Sequence, residues 1–163
     1  MSVIGKKWLI KNQNLHKSAF EKILENRGNT DMDELKDFHD PFLFSDMRHA
    51  VDRVFEAIKN GEKIIVFGDY DVDGITAAAI LIHALKKLEA NVSYRLPNRV
   101  HDGYGLSEKF IDEFIEKKID LVITVDCGIS CCKEVEKAAT NGVDIIITDH
   151  HTIPEVLPSH ACA

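Results

Sequence analysis

Hydrophobic positions along this chain follow two rhythms that meet near residue 61. Before that point they recur at helical spacing. Residues 18–26 place Phe20, Ile23 and Leu24 among polar neighbours, with Gly28 positioned to stop a helix. Residues 29–44 are polar and irregular. Residues 45–59 then bring Met47, Val51, Val54, Phe55 and Ile58 onto a helical pattern, behind a capping Ser45 and ahead of Asn60 and Gly61. After residue 61 the apolar residues gather into short runs at 63–67 (KIIVF), 92–96 (VSYRL), 121–125 (LVITV) and 144–148 (DIIIT). Helical stretches at 74–89, 107–118 and 130–141 separate them. Three of the runs lack polar alternation, as strands covered on both faces do. This alternation predicts right-handed βαβ units and a doubly wound, mainly parallel α/β sheet over residues 61–163, preceded by a helical extension over residues 1–60.

Composition narrows the class. A chain of 163 residues is long enough for one core that buries roughly two-thirds of its unfolded surface. With 45% hydrophobic and 29% charged residues, 9 Gly and 4 Pro, it is expected to fold, which excludes collagen-like, low-complexity and disordered classes. The longest apolar run, at 77–82, falls far short of the roughly 20 residues that span a bilayer, and residues 1–10 carry no leader-like apolar region. Cys127, Cys131, Cys132 and Cys162 crowd the last quarter, a poor layout for a disulfide framework. No pair of CxxC halves exists for zinc, so they read as small thiols in a reduced, cytoplasmic protein with no membrane partner. His16, His39, His49, His83 and His160 are scattered and read as surface or core residues.

The net charge of −7 argues against a simple basic nucleic-acid module. The placement of the acids changes that picture. KIIVF runs into Gly68, Asp69, Asp71 and Asp73; LVITV runs into Asp126; IIIT runs into Asp149, His150 and His151. In an open parallel sheet ligands bind at the carboxyl ends of the strands, so these residues should converge in one crevice. Several carboxylates cannot share a crevice uncompensated, since each ionised group raises the cost of ionising the next. A metal pair resolves the repulsion, and oxygen ligands with one or two imidazoles suit Mn²⁺ or Mg²⁺. Two such ions about 3.5–4 Å apart activate water and stabilise both apical oxygens of an in-line phosphoryl displacement.

Other readings compete. A single aspartate at a strand end is as often a cap or a turn residue. Asp69-x-Asp71-x-Asp73-Gly74 also resembles an EF-hand opening, but the twelfth position is Ile80 where a bidentate Glu is needed, and a strand precedes the loop. Residues 71–76 (DVDGIT) after a strand resemble haloacid-dehalogenase phosphatases as well, although that class leaves Asp149, His150 and His151 unexplained. In the loop at 96–106, Arg99 could hold a phosphate, the backbone at Gly103 and Gly105 could approach one, and Tyr104 could stack on a base. The plainer alternative is a βα loop whose glycines supply positive φ.

Taken in order and spacing, residues 69–74 (DYDVDG), 125–128 (VDCG) and 149–151 (DHH) resemble the first three motifs of the DHH phosphoesterases. Residues 39–47 (HDPFLFSDM) and 96–106 (LPNRVHDGYGL) are more narrowly similar to the amino-terminal part of the RecJ-like 5′-to-3′ single-stranded-DNA exonucleases. The resemblance runs from about residue 35 to the last and implies a Rossmann-like DHH domain. It implies that Asp126 bridges two ions, that Asp69 and Asp71 serve one and Asp73 the other, and that His150 is a ligand. It also implies that His151 faces the scissile phosphate and that Asp149 orients the histidines. Arg99, Gly103, Tyr104 and Gly105 become the expected nucleic-acid contacts.

Such enzymes carry a fourth-motif aspartate and a cleft-closing domain further along, so the chain is expected to be cut short at Ala163 and weak or inactive alone. The expected activity is metal-dependent hydrolysis of single-stranded DNA in repair and recombination, with single-strand-binding protein and a helicase as partners that the resemblance brings with it. Two alternatives stay open. One is a DHH phosphodiesterase for short oligonucleotides or cyclic dinucleotides, and the other is a catalytically silent replication scaffold.

Overall fold

The computed structural model describes residues 16–26, 28, 39–159 and 161–162, and expectations that fall on other residues, His160 among them, lie outside it. Two compact units divide the chain, Met1–Asp40 and Pro41–Ala163. In the first, helix α1 (Ala19–Asn26) follows the apolar pattern of its sequence. A reciprocal cap starts it: Ser18 N–H donates to Glu21 Oε2 at 2.7 Å, and Glu21 N–H donates to Ser18 Oγ at 3.2 Å.

The second unit opens with a 3₁₀ turn (Pro41–Leu43) and helix α2 (Met47–Asn60). There follow β1 (Ile64–Gly68), α3 (Val72–Lys87), β2 (Val92–Arg95), α4 (Glu108–Glu116), β3 (Leu121–Val125), α5 (Cys132–Thr140), β4 (Asp144–Thr148) and β5 (Ala161–Cys162). The four expected strands and five expected helices of 18–26 and 45–148 are all present, and no described helix is long and apolar enough to cross a membrane. Three local expectations need correction. Ser45 lies in a turn, and Asp46 occupies the position before α2 without a side-chain cap bond. Phe55 is 55% exposed; the stripe that packs on the sheet is Ala50, Val54, Ala57 and Ile58, one step round the helix. Helix α3 begins at Val72 because Asp71 caps it, leaving Gly74 inside the first turn.

All strands are parallel in the order β2-β1-β3-β4-β5. Their side chains alternate between two cores. Ile64, Val66, Leu121, Ile123, Val125 and Ile146 meet α2 and α3 on one face. Ile65, Phe67, Val122, Ile145 and Ile147 meet α4 and α5 on the other. Phe67 anchors that second core, its ring 5.0 Å from Phe110 and 6.2 Å from Phe114, each buried ring being worth about 1.5–3 kcal/mol.

At the amino ends of the strands the acids are paired. Arg53 of α2 donates through Nη2 to Glu62 and through Nε to Asp144, both at 2.7 Å, and Asp120 accepts from Lys63 N–H at 2.8 Å. At the carboxyl ends the chain leaves β1 for β2 on one side and returns to β3 on the other. A sheet in this order opens a crevice between the carboxyl ends of β1 and β3.

Candidate metal centre

Asp69 follows β1 directly, is buried, and approaches the first turn of α3. That approach depends on glycine: a Cβ on Gly74 would lie 2.4–2.7 Å from Asp69 backbone atoms, and one on Gly68 would lie 2.7 Å from the Gly74 carbonyl. Asp71 accepts from Gly74 N–H at 3.0 Å and so points its carboxylate at the positive end of α3. This hydrogen bond is the chief cause that holds the Asp71 carboxyl below its usual range.

Asp126 lies just beyond β3 with φ +64, a left-handed conformation that non-glycine residues adopt at a cost of roughly 1 kcal/mol and that Asp tolerates better than most. Its backbone N–H donates to Thr148 O at 2.9 Å, which fastens the turn to β4. Burial, and then the neighbouring Asp71 charge, push the Asp126 carboxyl up. Two groups of close donor atoms result. Asp69, Asp71 and Asp126 form one, Asp126, His150 and His151 the other, with all donors of a group within 4.8 Å of one another. Asp126 belongs to both.

His150 Nε2 lies 2.9 Å from Asp126 Oδ1. Asp149, its side chain buried, receives three bonds: Oδ2 from Ile129 N–H at 3.0 Å, Oδ1 from His151 N–H at 3.1 Å and from His151 Nδ1 at 2.6 Å. Burial alone would raise its carboxyl, and these hydrogen bonds outweigh it and hold the carboxyl low. The same pairing with Asp149 raises His151. Asp73 belongs to neither group. It lines the adjoining cleft with Ala77, Val125, Asp126, Thr148, Asp149 and His150.

The donor set fits hard divalent cations. Asp69 Oδ1 and Asp126 Oδ1 are both buried and neither receives a well-aligned hydrogen bond. A buried carboxylate oxygen without a donor costs on the order of 1–3 kcal/mol, more when charged, and a bound cation removes that penalty. The residues that would hold one ion are Asp69, Asp71 and Asp126, and those that would hold a second are Asp126 and His150.

The loop expected to meet nucleic acid borders this centre. Gly103 and Gly105 have φ +78 and +74 with open space where a Cβ would stand, so their glycine requirement is conformational. Tyr104 between them turns its hydroxyl to His151 Nε2 at 3.3 Å. Arg99 lies over the Tyr70 ring at 5.2 Å, Tyr70 meets Tyr104 edge-on at 6.3 Å, and Tyr104 meets His151 edge-on at 6.1 Å. Tyr70, one position from two candidate ligands, has no role in the sequence reading. Its motif position gave no hint of the ring row, which depends on a loop 34 residues away. The tight seats at Gly68 and Gly74 were equally unforeseen, although a glycine inside a first helical turn is a readable sign of close backbone approach. Cys127 is buried, burial raising its thiol, and among the described residues no candidate metal group includes a cysteine.

A sheet of this order, with aspartates after β1 and β3 and Asp-His-His after β4, defines a class, and residues 63–162 match the DHH family, N-terminal domain. The chain belongs to that family. It is 43% identical over 122 residues to the single-stranded-DNA-specific exonuclease RecJ of Bacillus subtilis, an alignment covering 75% of this chain and 16% of that protein. A crystal structure of RecJ in complex with Mn²⁺ from Thermus thermophilus matches 85% of this chain with a TM-score of 0.69 and 33% identity, covering 20% of its own length. Another, of exonuclease RecJ bound to manganese, gives 0.68 and 39% over 72% of this chain and 31% of its own. The chain spans between 16% and 26% of the length of the curated relatives it matches.

Proposed function

We propose that this chain is a metal-binding part of a RecJ-type nuclease that hydrolyses single-stranded DNA from its 5′ end. The observation that carries the reading is the sharing of Asp126 between two donor groups at the β1/β3 crevice, with buried oxygens on Asp69 and Asp126 that receive no well-aligned hydrogen bond. Solved relatives of the same fold are described as manganese complexes. Divalent ions, Mn²⁺ or Mg²⁺, supply charge compensation and water activation at such a site.

The chain's own groups do the rest. Asp126 bridges the two donor groups, Asp69 and Asp71 complete the first, and His150 serves the second with Asp73 at the cleft wall. Asp149 holds His151 Nδ1, and Nε2 lies against Tyr104 Oη beside the crevice where a phosphate would sit. Arg99 and the backbone at Gly103 and Gly105 border the same opening and suit a strand's phosphates, while the exposed Tyr104 ring suits a base. The division into a 1–60 extension and a 61–163 domain, cytoplasmic residence, and single-strand-binding protein and a helicase as partners belong to this proposal.

A graft tests it. Placed in the Bacillus subtilis RecJ in exchange for the matching segment, the chain should support Mn²⁺-dependent release of nucleotides from 5′-labelled single-stranded DNA, and Asp126→Ala should reduce that release by at least about a thousandfold. Equal degradation by the graft with and without Asp126 would end the proposal.

A further inference from the structure

We propose that Tyr104 is a positioning residue that acts through His151, a role that rests on the nuclease reading for its purpose but not for its chemistry. The direction of each bond follows from the partners. Asp149 is held ionised by its three hydrogen bonds, so at 2.6 Å it requires the proton on Nδ1 of His151. In its neutral form the imidazole then presents a bare Nε2, which can only accept. Tyr104 Oη stands 3.3 Å away, and a phenol hydroxyl carries its proton at neutral pH, so it donates. The ring is thereby held at both nitrogens, and its main-chain N–H is tied to the same carboxylate.

The support for Tyr104 is built into the loop. Asp102, its side chain 6% exposed, accepts from Asn98 N–H at 2.8 Å and pairs with Lys109 at 2.7 Å. Arg95 Nη2 stands 3.9 Å from the same carboxylate. Gly103 and Gly105 then turn the chain on either side of Tyr104 in conformations open to glycine, and Tyr70 meets its ring from the β1 side. The loop after β2 therefore sets the orientation of an imidazole that follows β4, and a group that displaces Tyr104 exposes Nε2.

The test uses this chain with ¹⁵N-labelled histidine, in chelator, at a pH where the imidazole is neutral, reading the two ring nitrogens of His151 by long-range NMR. The wild type should show the proton on Nδ1 and a hydrogen-bonded Nε2. Tyr104→Phe keeps the ring contacts and removes only the hydroxyl. It should move the Nε2 resonance toward the value of a free imidazole nitrogen and leave Nδ1 in place, whereas a packing role predicts no movement. Gly103→Ala keeps the hydroxyl but strains the loop at φ +78, and should move Nε2 part of the way. An Nε2 resonance unchanged in both variants, or a wild-type proton on Nε2, would overturn the assignment. No DNA enters this measurement, so it can fail while the graft succeeds, and the reverse.

Discussion

The two ends of the same strands treat carboxylates in opposite ways. At the amino edge Glu62 and Asp144 share Arg53, and Asp120 takes a backbone N–H, so each acid has a partner made of protein. At the carboxyl edge Asp69, Asp71 and Asp126 crowd together with no Lys or Arg paired to them among the described residues, and two of their oxygens lack a well-aligned donor. The residue types are alike, so the difference lies in compensation. Acids paired within the chain stabilise it, and acids left to compensate one another reserve a place for a cation.

The largest break in that contrast should come from Asp126→Ala. Mn²⁺ affinity measured by calorimetry should fall by more than about a hundredfold, since even partners behind the ligands are worth ten- to a hundredfold. The metal-free chain should meanwhile lose little stability, because removing a buried, poorly satisfied charge offsets the greater strain of alanine at φ +64. A variant that unfolds in chelator while still binding Mn²⁺ would reverse the comparison.

Gly74→Ala attacks the same edge without touching a carboxylate. Its Cβ would meet Asp69 backbone atoms at 2.4–2.7 Å, and backbone cannot step aside as a side-chain tip can. Denaturant unfolding should show a loss of about 3 kcal/mol, with weaker Mn²⁺ binding in the fraction that folds.

Arg53→Ala should strike only the other edge. Its side chain is 21% exposed and its partners 20% and 60%, so solvent screening limits the loss to about 1–2 kcal/mol, with Mn²⁺ affinity unchanged within twofold.

The smallest effect is in pH, where the edges carry opposite signs. Burial raises the Asp126 carboxyl, so the metal-free chain gains stability as pH falls through that raised value toward the unfolded carboxyl range, and Asp126→Asn should remove the gain. For Glu62 burial acts upward but the Arg53 hydrogen bond prevails and lowers it. Its contribution is therefore whole above the unfolded carboxyl range near 4.3 and lost as pH falls through the lower folded value. Thermal unfolding in chelator should peak in mild acid, and a curve that declines steadily from pH 7 in both the wild type and Asp126→Asn would contradict the Asp126 assignment.

Much of this was legible in the sequence because its signals are local. Unbroken apolar runs marked β1, β3 and β4, and an aspartate directly after a strand must lie at the sheet's carboxyl edge whatever the packing. The register of α2 was misplaced because Phe55 and Ala50 trade places when the whole sheet is present: hydrophobicity named the larger residue, while space against the sheet took the smaller. Two-residue β5 has no periodicity to read. The Tyr104–His151 bond joins residues 47 apart through a loop shaped by Asp102, and the αL turn at Asp126 has no residue-type signature, since Asp is common in ordinary turns as well.

That backbone turn has an evolutionary consequence. Asparagine tolerates φ near +64 as well as aspartate does, whereas longer or branched side chains do not. The exchanges that leave the turn comfortable, to asparagine or glycine, are also ones that strip its charge. On the proposed nuclease reading, a lineage of this domain can therefore surrender the chemistry at Asp126 through a mild substitution and keep the sheet intact, which makes the path from enzyme to inert framework a short one.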